Sequence, residues 1–206
     1  MTEFIQTHWT SIIGTAMGLL YLYLEYKAKI TMWIASMAMA AFYIYIFYTT
    51  QLYASMGIYI YFFFASIYGW IAWTRKQKSQ ESADYFIVLM SPKYIPVILI
   101  STVITFGIIY MILIYFTTNQ SYITAGDALT TSLNIVALWM ASRRWAEQWL
   151  LLIPANAISA ALLFIQNDSI SACLFIIFFI VSIFGYFNWR KLALSYKISE
   201  SDSFSN

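Results

Sequence analysis

The sequence predicts an all-α membrane protein: seven transmembrane helices arranged as two parallel three-helix repeats joined by one further helix, a 3+1+3 plan. Composition, the placement of basic residues and an internal repeat predict it. The 206 residues are 62% hydrophobic and 10% charged, with a mean hydropathy of +0.71. That leaves too little polar material to cover a soluble globule of this size, so the natural solvent of the chain is lipid. All 11 Lys and Arg residues fall in four clusters, Lys27/Lys29, Arg75 to Lys93, Arg143/Arg144 and Arg190 to Lys197. Even numbers of apolar stretches separate these clusters, which puts every basic residue on one side of a bilayer. Cytoplasmic loops retain Lys and Arg, so that side is the cytoplasm, with the amino terminus outside and the carboxyl terminus inside. In the repeat, Trp33 and Trp149 stand 116 positions apart, and the same offset carries Gly69 to Gly185 and Trp73 to Trp189 without a gap. It also pairs Ser66 with Ser182, Gln51 with Asn167 and Lys27 with Arg143.

Each element follows from the hydropathy pattern. The first apolar run, Trp9 to Leu24, has no basic segment before it and is followed by Glu25 and Lys27 rather than a small-residue cleavage site. It reads as a span over 9–25, not a cleaved signal. Spans over 30–48 and 54–73 complete the first repeat, 9–73. Residues 74–93 carry Arg75, Lys76, Lys78, Glu81, Asp84 and Pro92 and form a cytoplasmic linker with room for one surface turn. The fourth span, 94–116, has no counterpart in either half. Two three-helix units joined directly would be inverted, because three is odd, and this linker helix makes them parallel. Spans over 127–141, 148–165 and 170–189 form the second repeat, 127–189, and the Ser-rich tail 192–206 is expected to be flexible. The first, fifth and sixth spans are short, which suits helices packed in a bundle. In transporters built of parallel repeats the substrate site lies near midplane where the repeats meet.

The chemistry of the spans excludes an enzyme. One His, one Cys and no mid-depth carboxylate leave nothing from which to assemble a nucleophile with its base, paired acids or a metal cluster. No cofactor is implied. Proton-coupled carriers need an intramembrane ionisable relay, and no Asp, Glu, Lys, Arg or His lies near mid-depth. His8 reads as an interfacial residue and Cys173 as a core thiol.

A family resemblance runs through residues 12 to 191. Gly18-Leu19-Leu20-Tyr21-Leu22 through Glu25-Tyr26-Lys27, Ile67-Tyr68-Gly69-Trp70, Asp127-Ala128-Leu129-Thr130-Thr131, Met140-Ala141-Ser142-Arg143-Arg144, Glu147-Gln148-Trp149-Leu150-Leu151 and Phe184-Gly185-Tyr186 follow one another in the order that resembles the PnuC-type vitamin transporters. The resemblance implies a SWEET-like 3+1+3 fold, an inner-membrane location and a homotrimer. It further implies facilitated diffusion of nicotinamide riboside, with a cytosolic kinase phosphorylating the cargo and preventing its return. Thiamine is the alternative cargo, carried by close relatives. A small-sugar carrier and a membrane binding or sensing protein are the remaining readings. The implied partners are the vitamin, membrane lipid and the kinase; nucleic acid is not among them.

Candidate binding residues follow. Asp127, Thr131, Asn134 and Leu138 recur at helical spacing and share one face, expected to look inward, with Thr131 and Asn134 as hydrogen-bonding groups. The alternative for both is bonding to neighbouring helices. Asn156 lies seven residues past Trp149, near the bilayer centre, where an amide must find partners. Pro154 just before it frees the carbonyl of Leu150. In the pattern of the family, Asn156 stands in place of an acid and Leu152 in place of a tryptophan, so hydrogen bonds replace a carboxylate's attraction for a cationic ring. Trp33, Tyr59, Tyr68, Trp139 and Trp149 are the aromatic candidates, since ring faces hold a flat cationic heterocycle by stacking and cation–π attraction worth about 0.5 to 2 kcal/mol. Trp9, Trp70, Trp73 and Trp189 read as interfacial anchors. Gly69 and Gly185 read as packing positions, Gln51 and Asn167 as turn residues, and Arg143 and Arg144 as orientation determinants.

Overall fold

Seven apolar stretches interrupted by charge and turn residues become seven helices in the computed structural model, which describes residues 2–77, 87–116 and 122–203. They are α1 (Thr2–Tyr26), α2 (Thr31–Thr49), α3 (Tyr53–Gln77), α4 (Ile95–Phe116), α5 (Tyr122–Ser142), α6 (Gln148–Ile165) and α7 (Ser169–Ser203). The linker residues Lys78, Glu81 and Asp84 lie outside the described residues, as do the side chains of His8 and Trp9. α7 continues to Ser203, so the described part of the tail expected to be flexible is helical. α5 begins at Tyr122, earlier than the expected 127, and α1 begins at Thr2.

Among the described residues, five helices are long and apolar enough to cross a membrane: α2, α3, α4, α6 and α7. The apolar part of α1, Ile12–Tyr26, is shorter. α5 is not among them, because Asp127, Thr130, Thr131, Ser132 and Asn134 interrupt it. Its polarity has a structural counterpart. α5 packs against both α4 and α6 and buries Thr124, Thr130, Ser132 and Ser142, whereas α4 leaves Leu99, Ile100, Val103, Ile104 and Met111 exposed for lipid. A helix flanked by protein satisfies hydroxyls on its own carbonyls, as Ser132 does on Leu129 at 2.8 Å and Ser142 on Trp139 at 2.6 Å.

The chain divides into two compact units, Met1–Thr74 and Arg75–Asn206. In the first unit, α1 gives way to α2 through Ala28 at φ 52°, and α2 gives way to α3 through Gln51 at φ 60°. Within it the fully buried Trp33 ring on α2 meets Trp73 on α3 edge-on, centroids 5.9 Å apart at 76°. Gly69 lies directly beneath that ring, where an added Cβ would stand inside van der Waals contact with it. One turn earlier on α3, Ser66 Oγ donates to Phe62 O at 2.7 Å and meets Ser36 Oγ of α2 at 2.7 Å.

In the second unit, Arg144 at φ 64° follows α5 and Asn167 at φ 62° follows α6. The fully buried Trp149 ring on α6 meets Trp189 on α7 edge-on, 5.8 Å apart at 87°. Gly185 lies beneath it, with an added Cβ 2.7 Å from the indole. Ser182 Oγ donates to Phe178 O at 2.7 Å. Each of these residues stands 116 positions after its counterpart in the first unit, so one local geometry occurs in both. In lipid, apolar burial gives helices little reason to associate, and small residues that admit a close neighbour supply the contact instead. Trp73 and Trp189, expected as interfacial anchors, are therefore packing partners, 7% and 0% exposed. Cys173, expected in the core, is exposed on α7.

The end of the linker is not a free surface turn. Val88 donates its N–H to Arg144 O at 3.0 Å, and its carbonyl oxygen accepts from Ala146 N at 3.1 Å, a parallel bridge onto the α5–α6 turn. The Glu147 carboxylate accepts from Met90 N at 2.8 Å. Val88, Met90 and Tyr94 then pack on a cluster of Ile98, Val136, Met140 and Trp145. This ties the entry to α4 to the turn from which α6 starts. At the far end of α6 the Ser171 hydroxyl and N–H hold the Asp168 carboxyl below its ordinary range, capping α7.

Candidate functional site

α6 stays helical through Pro154, although proline contributes no N–H and leaves the Leu150 carbonyl without its donor from four residues ahead. Two residues on, Asn156 points inward and is 7% exposed. Its Nδ2 donates to Ser182 Oγ on α7 at 3.0 Å, while the Ser182 proton is given to Phe178 O. Ser182 is fully buried. The amide expected from the sequence is thus held across a helix interface by a hydroxyl that was recognised only as a member of the repeat register. The signal for it was present: a serine recurring at the register spacing inside an apolar helix has few uses beyond an interhelical hydrogen bond.

On α5 the face carrying Asp127, Thr131, Asn134 and Leu138 is partly open. Ala128, Ser132, Val136 and Ala137 are buried, whereas Thr131, Asn134 and Leu138 are half-buried and Asp127 is exposed. Close packing falls on the neighbouring face because small side chains there admit α4 and α6. Asn134 Nδ2 donates to Thr130 O on its own helix at 2.8 Å. Its carbonyl oxygen is not used in that bond.

The aromatic candidates separate into three kinds. Trp33 and Trp149 are fully buried against glycine and tryptophan, and each indole Nε1 is buried without a hydrogen-bond partner. They frame their helix pairs rather than offering a ring face. Trp139 is half-buried at the end of α5, edge-on to Trp145 at 5.3 Å, with the Arg143 guanidinium 5.2 Å from its ring centre. In the first unit, Tyr59 sits in a cluster with Tyr43, Phe47 and Phe62 at centroid distances of 4.8, 5.3 and 5.7 Å. Tyr68 shares an exposed stripe of α3 with Tyr61, Phe64 and Ile71.

The second unit therefore combines a fixed amide, Asn156, with a second amide and a hydroxyl, Asn134 and Thr131, on the partly open face of the adjoining helix. Hydrogen-bond donors and acceptors without net charge suit a neutral polar group on an otherwise apolar or aromatic molecule.

The chain has known relatives. A family model described as nicotinamide mononucleotide transporter matches residues 8–191. The nicotinamide riboside transporter PnuC of Escherichia coli (strain K12) is 26% identical over 206 residues, covering 90% of this chain and 86% of that protein. The Haemophilus influenzae protein of the same name is 25% identical over 194 residues, covering 92% of this chain and 83% of its own. Among solved structures, the crystal structure of the vitamin B3 transporter PnuC is similar, with a TM-score of 0.71 at 19% identity over 93% of this chain and 85% of that one. That last likeness is one of fold. These relatives are transporters rather than enzymes.

Proposed function

The chain belongs to the nicotinamide mononucleotide transporter family, and on that premise we propose that it takes up nicotinamide riboside across the cell membrane by facilitated diffusion. The observation that carries the reading is the match to a nicotinamide riboside transporter along 90% of this chain and 86% of that protein. Phosphorylation by a cytosolic kinase traps the cargo. α2, α4 and α6 carry no Asp, Glu, Lys, Arg or His, which supports uncoupled transport, since a proton relay needs such groups at depth.

In this reading the seven helices cross the bilayer in a 3+1+3 plan, amino terminus outside, with α4 as the unpaired helix. The turn residues, tryptophan pairs and buried serines that recur at one spacing in the two units support it. Basic residues then lie on the cytoplasmic face, as orientation demands. In the second unit, Asn156, Asn134 and Thr131 supply hydrogen bonds to the cargo, while Trp139 supplies aromatic surface. Trp149 holds α6 against α7 beside these groups, as Trp33 holds α2 against α3 in the first unit. The partly open face of α5 supports this assignment, because a ligand surface must remain accessible while its helix is packed elsewhere.

Purified protein in sealed proteoliposomes tests the proposal. Labelled nicotinamide riboside enters, unlabelled nicotinamide riboside competes and glucose does not, with thiamine and riboflavin as the discriminating competitors. Without a kinase inside, uptake stops at equal concentrations, and neither a protonophore nor sodium removal changes its initial rate. Specific binding with no flux would assign a receptor instead, and accumulation above equilibrium would exclude the uncoupled mechanism.

A further inference from the structure

The direction of the Asn156 amide is fixed by hydrogen-bond arithmetic. A serine hydroxyl has one proton and two lone-pair positions. Ser182 commits its proton to Phe178 O, four residues back on α7, at 2.7 Å. Only a lone pair is left for the neighbouring helix, so Asn156 must present an N–H to it, as the 3.0 Å contact from Nδ2 to Oγ records. Turning the amide over would set its oxygen against the oxygen of Ser182, or force Ser182 to give up Phe178, keeping one hydrogen bond where the observed arrangement keeps two. With Ser182 fully buried and Asn156 7% exposed, no bulk water is at hand to compensate.

We propose that Ser182 is a positioning residue that locks Asn156 with its carbonyl oxygen, Oδ1, turned away from α7 as a fixed acceptor, and that the site thereby selects cargo bringing an N–H or O–H donor to that point. The inference rests on the reading that Asn156 meets the cargo, and it adds what Asn156 recognises there. A freely rotating amide accepts donors and acceptors alike; a locked one discriminates between them. Two groups of nicotinamide riboside can supply the donor, its carboxamide N–H and its ribose hydroxyls.

The first unit provides an internal control. Ser66 donates to Phe62 O at 2.7 Å and lies 2.7 Å from the Ser36 hydroxyl, so its partner is another serine and not an amide. Removing Ser66 loosens a helix pair in the same way as removing Ser182, without freeing an amide.

The test compares KM for nicotinamide riboside with KM for nicotinic acid riboside, which lacks the carboxamide donor, and for the 2′-, 3′- and 5′-deoxyribose analogues, which lack one hydroxyl each. The wild-type protein is set beside Ser182→Ala, Ser182→Thr and Ser66→Ala in proteoliposomes. Wild type discriminates against whichever analogue lacks the donor, and the analogue it rejects identifies the donor's source. In Ser182→Ala that discrimination falls about tenfold, the scale of one hydrogen bond, through a higher KM for nicotinamide riboside. Ser182→Thr, which keeps the hydroxyl, restores it, and Ser66→Ala leaves it unchanged. If the alanine variant is not recovered folded, Ser182→Cys takes its place, a thiol being a weak acceptor. Unchanged ratios in Ser182→Ala, or an equal loss in Ser66→Ala, would overturn the positioning role. Asn156→Leu separates the two readings: normal uptake there removes Asn156 from the site altogether, whereas lost uptake beside unchanged ratios in Ser182→Ala removes the positioning role alone.

Discussion

Replacing Asn156 with leucine lowers the initial rate of nicotinamide riboside uptake by roughly one to two orders of magnitude while the protein inserts and purifies at wild-type yield. Leucine is close to asparagine in size and well suited to lipid, so α6 retains its shape and its contact with α7. What is lost is an amide held by Ser182 near mid-helix. Removing a buried hydrogen-bonding group that a polar ligand depends on costs about 1 to 3 kcal/mol, which corresponds to this range of rates. Asn134→Leu acts in the same direction by a smaller factor, because one of its N–H groups is already given to Thr130 O and its helix face is only half-buried. Uptake in vesicles, measured beside detergent-solubilised yield, separates lost recognition from lost folding. Normal rates in both variants would show that the cargo binds elsewhere.

Gly185→Ala damages the fold itself. A single Cβ at this position stands 2.7 Å from the Trp149 indole, closer than real side chains approach, and the ring has nowhere to retreat because it is fully buried against Trp189. Overpacking of this kind costs about 1 to 3 kcal/mol. Thermal unfolding in detergent should shift downward for Gly185→Ala, and equally for Gly69→Ala beneath Trp33. The double variant Gly185→Ala/Trp149→Leu should be more stable than the sum of its single effects, since the smaller side chain removes the clash. Strict additivity would mean that the ring and the glycine do not constrain each other.

Much of this was legible in the sequence because rare residues recur there. Tryptophan, glycine and serine at one spacing marked the positions that the two units share, and Gln51 and Asn167 were readable as turn residues. The packing partner of each was not. Trp73 and Trp189 sit near basic residues, the ordinary place of an interfacial anchor, and only the neighbouring helix explains why they are buried. Which face of α5 packs was not legible either. Helical spacing identifies which residues share a face, but the face that packs is chosen by small side chains such as Ala128, Ala137 and Ser132, which periodicity alone does not distinguish. The bridge from Val88 to the α5–α6 turn left no sequence signal, because its hydrogen bonds are made by backbone groups and only Glu147 contributes a side chain. At Asn156 the sequence supplied the group but not its direction, which depends on where Ser182 sends its proton.

The central claim is that two like-built halves face the same way across the bilayer, with α4 making them parallel. In a Cys173→Ser background, which removes the single native thiol, cysteine is placed at the exposed positions Lys27 and Arg143, equivalent turns of the two halves. A membrane-impermeant maleimide is applied to intact cells and to inside-out vesicles. The account predicts that both cysteines react only in the inside-out vesicles; labelling of the two from opposite faces of the membrane would contradict it.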